Sequence, residues 1–113
     1  YGHVFGDIVL REIAARTVSI LRVEDLLFRW GGEEFLVIIR NCDLIRGYAV
    51  AEKIRKAVAG APINDGTFSL TVTVTIGVCR YKHNSIDSMI VEADEALYTG
   101  KRTGKNKVVV ARD

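Results

Sequence analysis

Long apolar runs are missing from this chain of 113 residues. Stretches such as FLVII (35–39) fall far short of the ~20 consecutive apolar residues that a membrane-spanning helix requires. No basic-then-apolar leader opens the chain, so a soluble piece is expected. Cysteine is sparse: Cys42 and Cys79 stand far apart, without C-x-x-C or Cys/His spacing. That usage speaks for a reduced compartment and two ordinary thiols, and against a zinc site. An excess of one charge is missing too. The formal net charge of +2 gives an average field too weak to argue for or against an anionic partner, so the distribution of charge must carry the argument. Internal repeats and low-complexity tracts are absent. An initiator methionine is also lacking, and Tyr1 runs almost at once into the spacing of a helix already under way. The chain therefore reads as a fragment that lacks a leader, a strand or a whole sensor domain.

What remains suits one compact domain over 1–113, since an apolar content of 49% supplies a core for one domain but hardly for two. After Gly6, Asp7 is placed to cap a helix over about 7–21, with Ile8, Val9, Leu10, Ile13, Ala14 and Val18 on its apolar face. LLFRW and FLVII suit a pleated, buried surface, and the GGEE between them has the glycines of a hairpin turn. Asp43 caps a second helix whose apolar positions Leu44, Tyr48, Ala51, Ile54 and Val58 step by four and three, ending near Gly60. Pro62, Asn64, Asp65 and Gly66 are loop chemistry. TVTVTIGV alternates Val72, Val74, Ile76 and Val78 with Thr71, Thr73, Thr75 and Gly77, the pattern of one long strand. Ile86, Met89, Ile90, Ala93, Ala96 and Leu97 mark a third helix that stops around Gly100 and Gly104, and KVVVA closes as a short strand. Helices interleaved with strands predict a layered sheet covered by helices. The first helix has no strand before it from which to cross over, so a preceding strand is expected to be missing.

The hairpin tip poses a chemical problem. Gly31 and Gly32 let the backbone adopt angles other residues resist and leave room for a ligand to approach closely. Glu33 and Glu34 then project from a stiff turn where they repel each other, a cost that a cation relieves. Mg²⁺ takes one or two carboxylates together with substrate phosphates while keeping water, so a metal-assisted phosphate site is one reading; a merely solvated turn is the other. The segment GKRTGKNK gathers Lys101, Arg102, Lys105 and Lys107 around two glycines, as a loop holding a polyphosphate would, or as cations complementing a helix C-terminus would. Arg29 is a third source of positive charge, or a solvated strand position.

Taken together, YGHVFGDIVL, RVED five residues ahead of GGEEF, then TVTVTIGV, and ADEALYTGK followed by GKNK resemble the GGDEF family, the diguanylate cyclases that condense two GTP into cyclic di-GMP. The match runs over essentially the whole chain in the same order. It implies an α+β fold with a palm-like, nucleotide-cyclase or ferredoxin-like, antiparallel-rich sheet flanked by helices. It also implies that Glu33 and Glu34 are catalytic and hold Mg²⁺, with Mn²⁺ as a substitute, and help activate the attacking 3′-hydroxyl. Nucleotidyl transfer needs such a metal to neutralise charge building on phosphate. Asp7 matches the guanine-contacting acid, with Leu10 near the base through its backbone. Arg29, Gly31 and Gly32 belong to the substrate site, and Lys101 and Lys105 match its phosphate-binding pair. Lys105 stands where the family more often has Arg, which keeps the charge but loses bidentate geometry; Gly100 replaces the usual Ala. Arg22 and Asp25 match the R-x-x-D inhibitory site for the cyclic product, since arginine suits phosphate and aspartate suits guanine N–H donors.

The resemblance also implies partners: GTP, cyclic di-GMP as product and inhibitor, a second copy of the domain facing this one, and an upstream sensor or receiver domain. No nucleic-acid partner is expected, and the domain is expected to face the cytoplasm even from a membrane-anchored parent. The family normally begins earlier, with a strand that supplies another metal carboxylate and a short helix with an Asn on guanine. Without them the chain is expected to be truncated at its N-terminal strand and not to be a competent catalyst alone. A domain that only binds cyclic di-GMP or GTP is the alternative from a different class, and a relative with another purine product is disfavoured by Asp7.

Overall fold

The computed structural model describes residues 2–112, in which three helices and six short strands follow one another. They are α1 (Gly2–Ile20), β1 (Leu26–Gly31), β2 (Glu34–Ile38), α2 (Leu44–Ala59), β3 (Ile63–Asn64), β4 (Ser69–Leu70), β5 (Ile76–Val78), α3 (Ile86–Arg102) and β6 (Val108–Val110). Tyr1, the first residue of the opening motif, lies outside the described residues.

The second helix follows its pattern closely. The Asp43 carboxylate accepts from the Arg46 N–H at 2.8 Å, satisfying a donor that the first turn leaves free. Its stripe buries Ala51, Ile54 and Val58, each of the larger two contributing roughly 1.5–3 kcal/mol by leaving water. The opposite end is closed from α1: Arg16 donates to the carbonyls of Val58 at 2.7 Å and Ala61 at 2.8 Å, and its Nε pairs with Glu12 at 3.0 Å. One guanidinium thus fixes α1 against α2. In α3, Ser85 caps the first turn by accepting from Ser88 N–H at 3.1 Å, and Ala96 and Gly100 are buried. β5 lies so close to α3 that a Cβ built on Gly77 would stand 2.1 Å from the Ala93 carbonyl oxygen.

Several expectations are corrected. The first helix begins at Gly2, so Asp7 is inside it and does not cap it; residues 3–6 already supply helical turns before it. TVTVTIGV is not one long strand, since only Ile76–Val78 pairs, in parallel with Val108–Val110. A strand needs a ladder, and β6 offers three residues, extended by Ile76 N–H to Lys107 and Ala111 N–H to Val78. Residues 71–75 keep the exposed threonines and half-buried valines of the pattern at 71–74, but no strand of the described residues pairs with them. The loop after α2 holds a small hairpin of its own, β3 with β4, which composition did not announce. The strands form three two-stranded sheets: β1–β2 antiparallel, β3–β4 antiparallel and β5–β6 parallel.

Candidate active-site cleft

The hairpin forms as its composition requires. β1 and β2 pair from Leu26 opposite Ile38 to Arg29 opposite Phe35, after which the register shifts and Gly31 meets Glu34. Trp30 is therefore an extra residue in β1, a bulge beside the tip. Two residues remain as the loop, Gly32 and Glu33. Gly32 takes φ +46°, the left-handed angle that a tight two-residue hairpin connection demands and that glycine adopts without a Cβ penalty. Gly31 needs no such angle, and a Cβ at either glycine would meet nothing within 4 Å. The space beside the tip is open.

Glu33 and Glu34 are exposed, and their carboxylates accept no hydrogen bond and join no ion pair with the described residues. The cation nearest in sequence is occupied, because Arg29 donates Nε and Nη2 to the Gly32 carbonyl at 2.9 and 2.7 Å. Two carboxylates kept adjacent by a turn and left without an internal partner are a donor set suited to Mg²⁺ shared with a nucleotide, which needs no more than one or two protein carboxylates. No cluster of three or more His, Cys, Asp or Glu occurs among the described residues, so a closed all-protein cage is not what this site offers.

The basic segment sorts itself in the same way. The Lys107 ammonium turns back onto the Thr103 carbonyl and hydroxyl at the end of α3. Arg102 lies over the Tyr98 ring, 4.9 Å from its centroid, a cation–π contact. Lys101 and Lys105 are exposed, and their ammonium groups have no such partner among the described residues. Lys107 is thus engaged by the end of α3, while Lys101, which complements the helix dipole from the last turn, and Lys105 keep their ammonium groups exposed to an anion.

One broad cleft of about 2210 Å³ joins these groups; Asp7, Leu10, Arg29, Gly32, Glu33, Glu34, Lys101 and Lys105 all line it. That volume exceeds the roughly 300–1,000 Å³ of a fitted ligand pocket, and apolar residues such as Phe5, Ile54, Ile76 and Leu97 line it too, so it is an open trough across the apolar side of the helices and sheets rather than a pocket fitted to one ligand. A smaller recess of about 320 Å³ off α1 is shared by Asp7, Leu10, Arg29 and Phe35. Asp7 and Leu10, three residues apart, share a helix face, which is why both reach it. Gly31 does not line the cleft.

Arg22 and Asp25 are elsewhere, at the foot of the hairpin, about 20 Å along β1 from the acidic tip at ~3.3 Å per residue. Asp25 accepts the Arg22 backbone N–H at 2.8 Å through Oδ2, and Oδ1 is buried without a protein partner. The Arg22 guanidinium lies 3.6 Å from Asp25 and 3.7 Å from Glu24 and donates to the Arg40 carbonyl at 2.7 Å. The family resemblance pointed to this pair but not to the carbonyl that holds the arginine.

A family profile described as "Diguanylate cyclase, GGDEF domain" matches residues 1–107. Diguanylate cyclase A of Treponema denticola is 41% identical over 115 residues, covering 100% of this chain and 31% of that protein. The chain thus spans less than a third of that relative. The solved GGDEF domain of DgcB from Caulobacter crescentus, in complex with c-di-GMP, superposes with a TM-score of 0.92 at 32% identity, over 100% of this chain and 68% of that one. The active GGEEF domain of a diguanylate cyclase from Vibrio cholerae superposes with a TM-score of 0.86 at 29% identity, over 100% and 72%. The mixed α/β fold, the motif order and these matches agree, and the chain belongs to the GGDEF family of diguanylate cyclases.

Proposed function

We propose that this domain contributes half of an active site that condenses two GTP into cyclic di-GMP with release of pyrophosphate. The observation that carries the reading is the common trough: it is lined by the two carboxylates of the tight turn and by two lysines, Lys101 in the last turn of α3 and Lys105 in the loop after it, and none of the four joins an ion pair among the described residues. Glu33 and Glu34 would hold Mg²⁺, or Mn²⁺ in its place, which when bound supplies charge neutralisation at the phosphates and favours the ionised 3′-oxygen. Lys101 and Lys105 receive the β- and γ-phosphates as point charges. Asp7 accepts from the Watson–Crick N–H groups of guanine, which adenine cannot offer, and Leu10 borders the base. Gly32, which lines the cleft, lets phosphate approach the backbone, with Gly31 beside it at the tip, while Arg29 fixes the turn. A Glu in place of the first acid is compatible with catalysis, as the active GGEEF relative from Vibrio cholerae illustrates.

The product has two phosphodiester bonds and each domain presents one acidic hairpin, so two copies must meet face to face. Arg22 and Asp25 serve as the site for product feedback; the complex of the DgcB domain with c-di-GMP supports product binding by this fold. An upstream sensor or receiver domain would set how often two copies meet, and the domain would work in the cytoplasm. No helix among the described residues is long and apolar enough to cross a membrane.

The test uses the full-length protein with Mg²⁺ and GTP, following pyrophosphate and cyclic dinucleotide together. Turnover that Glu34→Gln abolishes without unfolding supports the reading. Binding of cyclic di-GMP with no pyrophosphate from the unaltered protein would replace it with the receptor alternative.

A further inference from the structure

Of the two exposed lysines, Lys101 precedes an unusual piece of backbone and Lys105 belongs to it. Gly104, Lys105 and Asn106 all have positive φ, at +121°, +58° and +48°. L-residues seldom adopt that region, so consecutive examples persist only where surrounding contacts determine them. The contacts here are specific. Lys105 N–H donates to the Gly100 carbonyl at 3.0 Å. Asn106 N–H donates to Thr75 Oγ1 at 3.1 Å, and its side-chain oxygen accepts from Arg55 Nη1 at 3.0 Å. Arg55 is itself held by Glu52 at 2.9 and 3.0 Å.

Thr75 acts twice. While its hydroxyl holds Asn106, its methyl occupies the space where Gly100 lacks a side chain: a Cβ there would stand 2.7 Å from Thr75 Cγ2 and 3.2 Å from Val109 Cγ2. Gly100 precedes Lys101 and Asn106 follows Lys105. One side chain from the segment before β5 therefore touches the chain neighbour of each lysine.

We infer that Thr75 is a positioning residue for the phosphate site, acting through the Asn106 N–H and the Gly100 backbone to fix the spacing of Lys101 and Lys105. The inference rests on the reading of those lysines given above. A side chain that positions a binding group weakens ground-state affinity when altered, because the lysines then have to be ordered by the ligand.

The experiment compares Thr75→Val, which keeps the methyl and removes the acceptor, with Thr75→Ser, which keeps the acceptor, in the full-length protein. Affinity for a non-hydrolysable GTP analogue is measured by titration alongside KM and kcat. Thr75→Val is expected to weaken analogue binding and raise KM by about tenfold, the worth of one lost hydrogen bond at its upper range, with kcat little changed, and Thr75→Ser, which keeps the acceptor but loses the methyl against Gly100, is expected to fall between Thr75→Val and the original. If Thr75→Val does not fold, Thr75→Ala against Thr75→Ser isolates the same hydroxyl. Lys101→Ala and Lys105→Ala separate the two layers of argument. Lysine variants that lose affinity while Thr75→Val does not would overturn the role of Thr75 alone. Lysine variants that bind the analogue normally would remove the phosphate-loop reading and this inference with it.

Discussion

Arg29 binds its own turn: the guanidinium reaches three residues ahead and grips the Gly32 carbonyl with two N–H groups, at 2.9 and 2.7 Å. The carbonyl that a left-handed glycine exposes is thereby satisfied, and the tip carrying Glu33 and Glu34 is stiffened. Arg29→Ala should accelerate amide exchange across residues 32–34 while shifting global stability by no more than about 1 kcal/mol, because the contact is exposed. Hydrogen exchange read by mass spectrometry checks it; unchanged exchange at the tip would mean that the strand pairing alone holds the turn.

The two glycines of the tip should respond differently to a methyl group. Gly32→Ala forces an L-residue to φ +46°, a cost of roughly 1–2 kcal/mol. Gly31→Ala meets no atom within 4 Å and needs no left-handed angle, so its stability should stay within about 0.5 kcal/mol of the original. Gly31 does not line the cleft whereas Gly32 does, so nucleotide affinity should fall in Gly32→Ala and stay close to the original in Gly31→Ala. Urea melts beside nucleotide titrations separate the two effects.

Gly77 is a packing glycine. Its Cβ would lie 2.1 Å from the Ala93 carbonyl oxygen and 2.6 Å from the Leu97 nitrogen, and both are helix backbone that cannot swing aside. Gly77→Ala should cost about 3 kcal/mol or more by forcing β5 and α3 apart. A urea midpoint near the original would show that this contact gives more readily than the geometry allows.

Asp65 links the β3–β4 turn to pH. Its carboxyl is held below the ordinary range by the Phe68 and Thr67 N–H groups, each donating to Oδ1 at 2.8 Å. A value lower in the folded state than in the unfolded one means the stabilisation is fully present above about pH 4 and is lost as pH falls through the folded value. The Thr67 and Phe68 amide resonances should therefore move together in acid, and in Asp65→Asn they should lose that titration. The carboxylate is exposed, so the effect is local to the turn.

Much of this was legible from residue spacing because the information is local. The stripe of α2 and its Asp43 cap follow from steps of three and four and one side-chain oxygen. GGEE between two apolar runs announces a hairpin wherever it occurs. Reading failed where a partner distant in sequence decides. Thr71–Thr75 alternates as a strand should, yet pairing stops where β6 stops. Asp7 has the chemistry of a cap, but helix began five residues earlier. The allocation of cations in GKRTGKNK was likewise invisible: nothing in composition says that Lys107 turns back on Thr103 and Arg102 lies on Tyr98, leaving Lys101 and Lys105. The resemblance named that pair, and the geometry shows how the neighbouring cations are engaged.

The bulge at Trp30 has a further consequence. With one residue more on β1 than on β2, the tip is rotated relative to the ladder beneath it, and the two acids are aimed by a count of atoms as much as by their own identity. Deleting Trp30 would restore even pairing and keep every acidic and basic group, yet it would turn the loop to present its charges on another side. Segment length is thus a specification in its own right, one that point substitutions leave untouched and a single-codon deletion would erase.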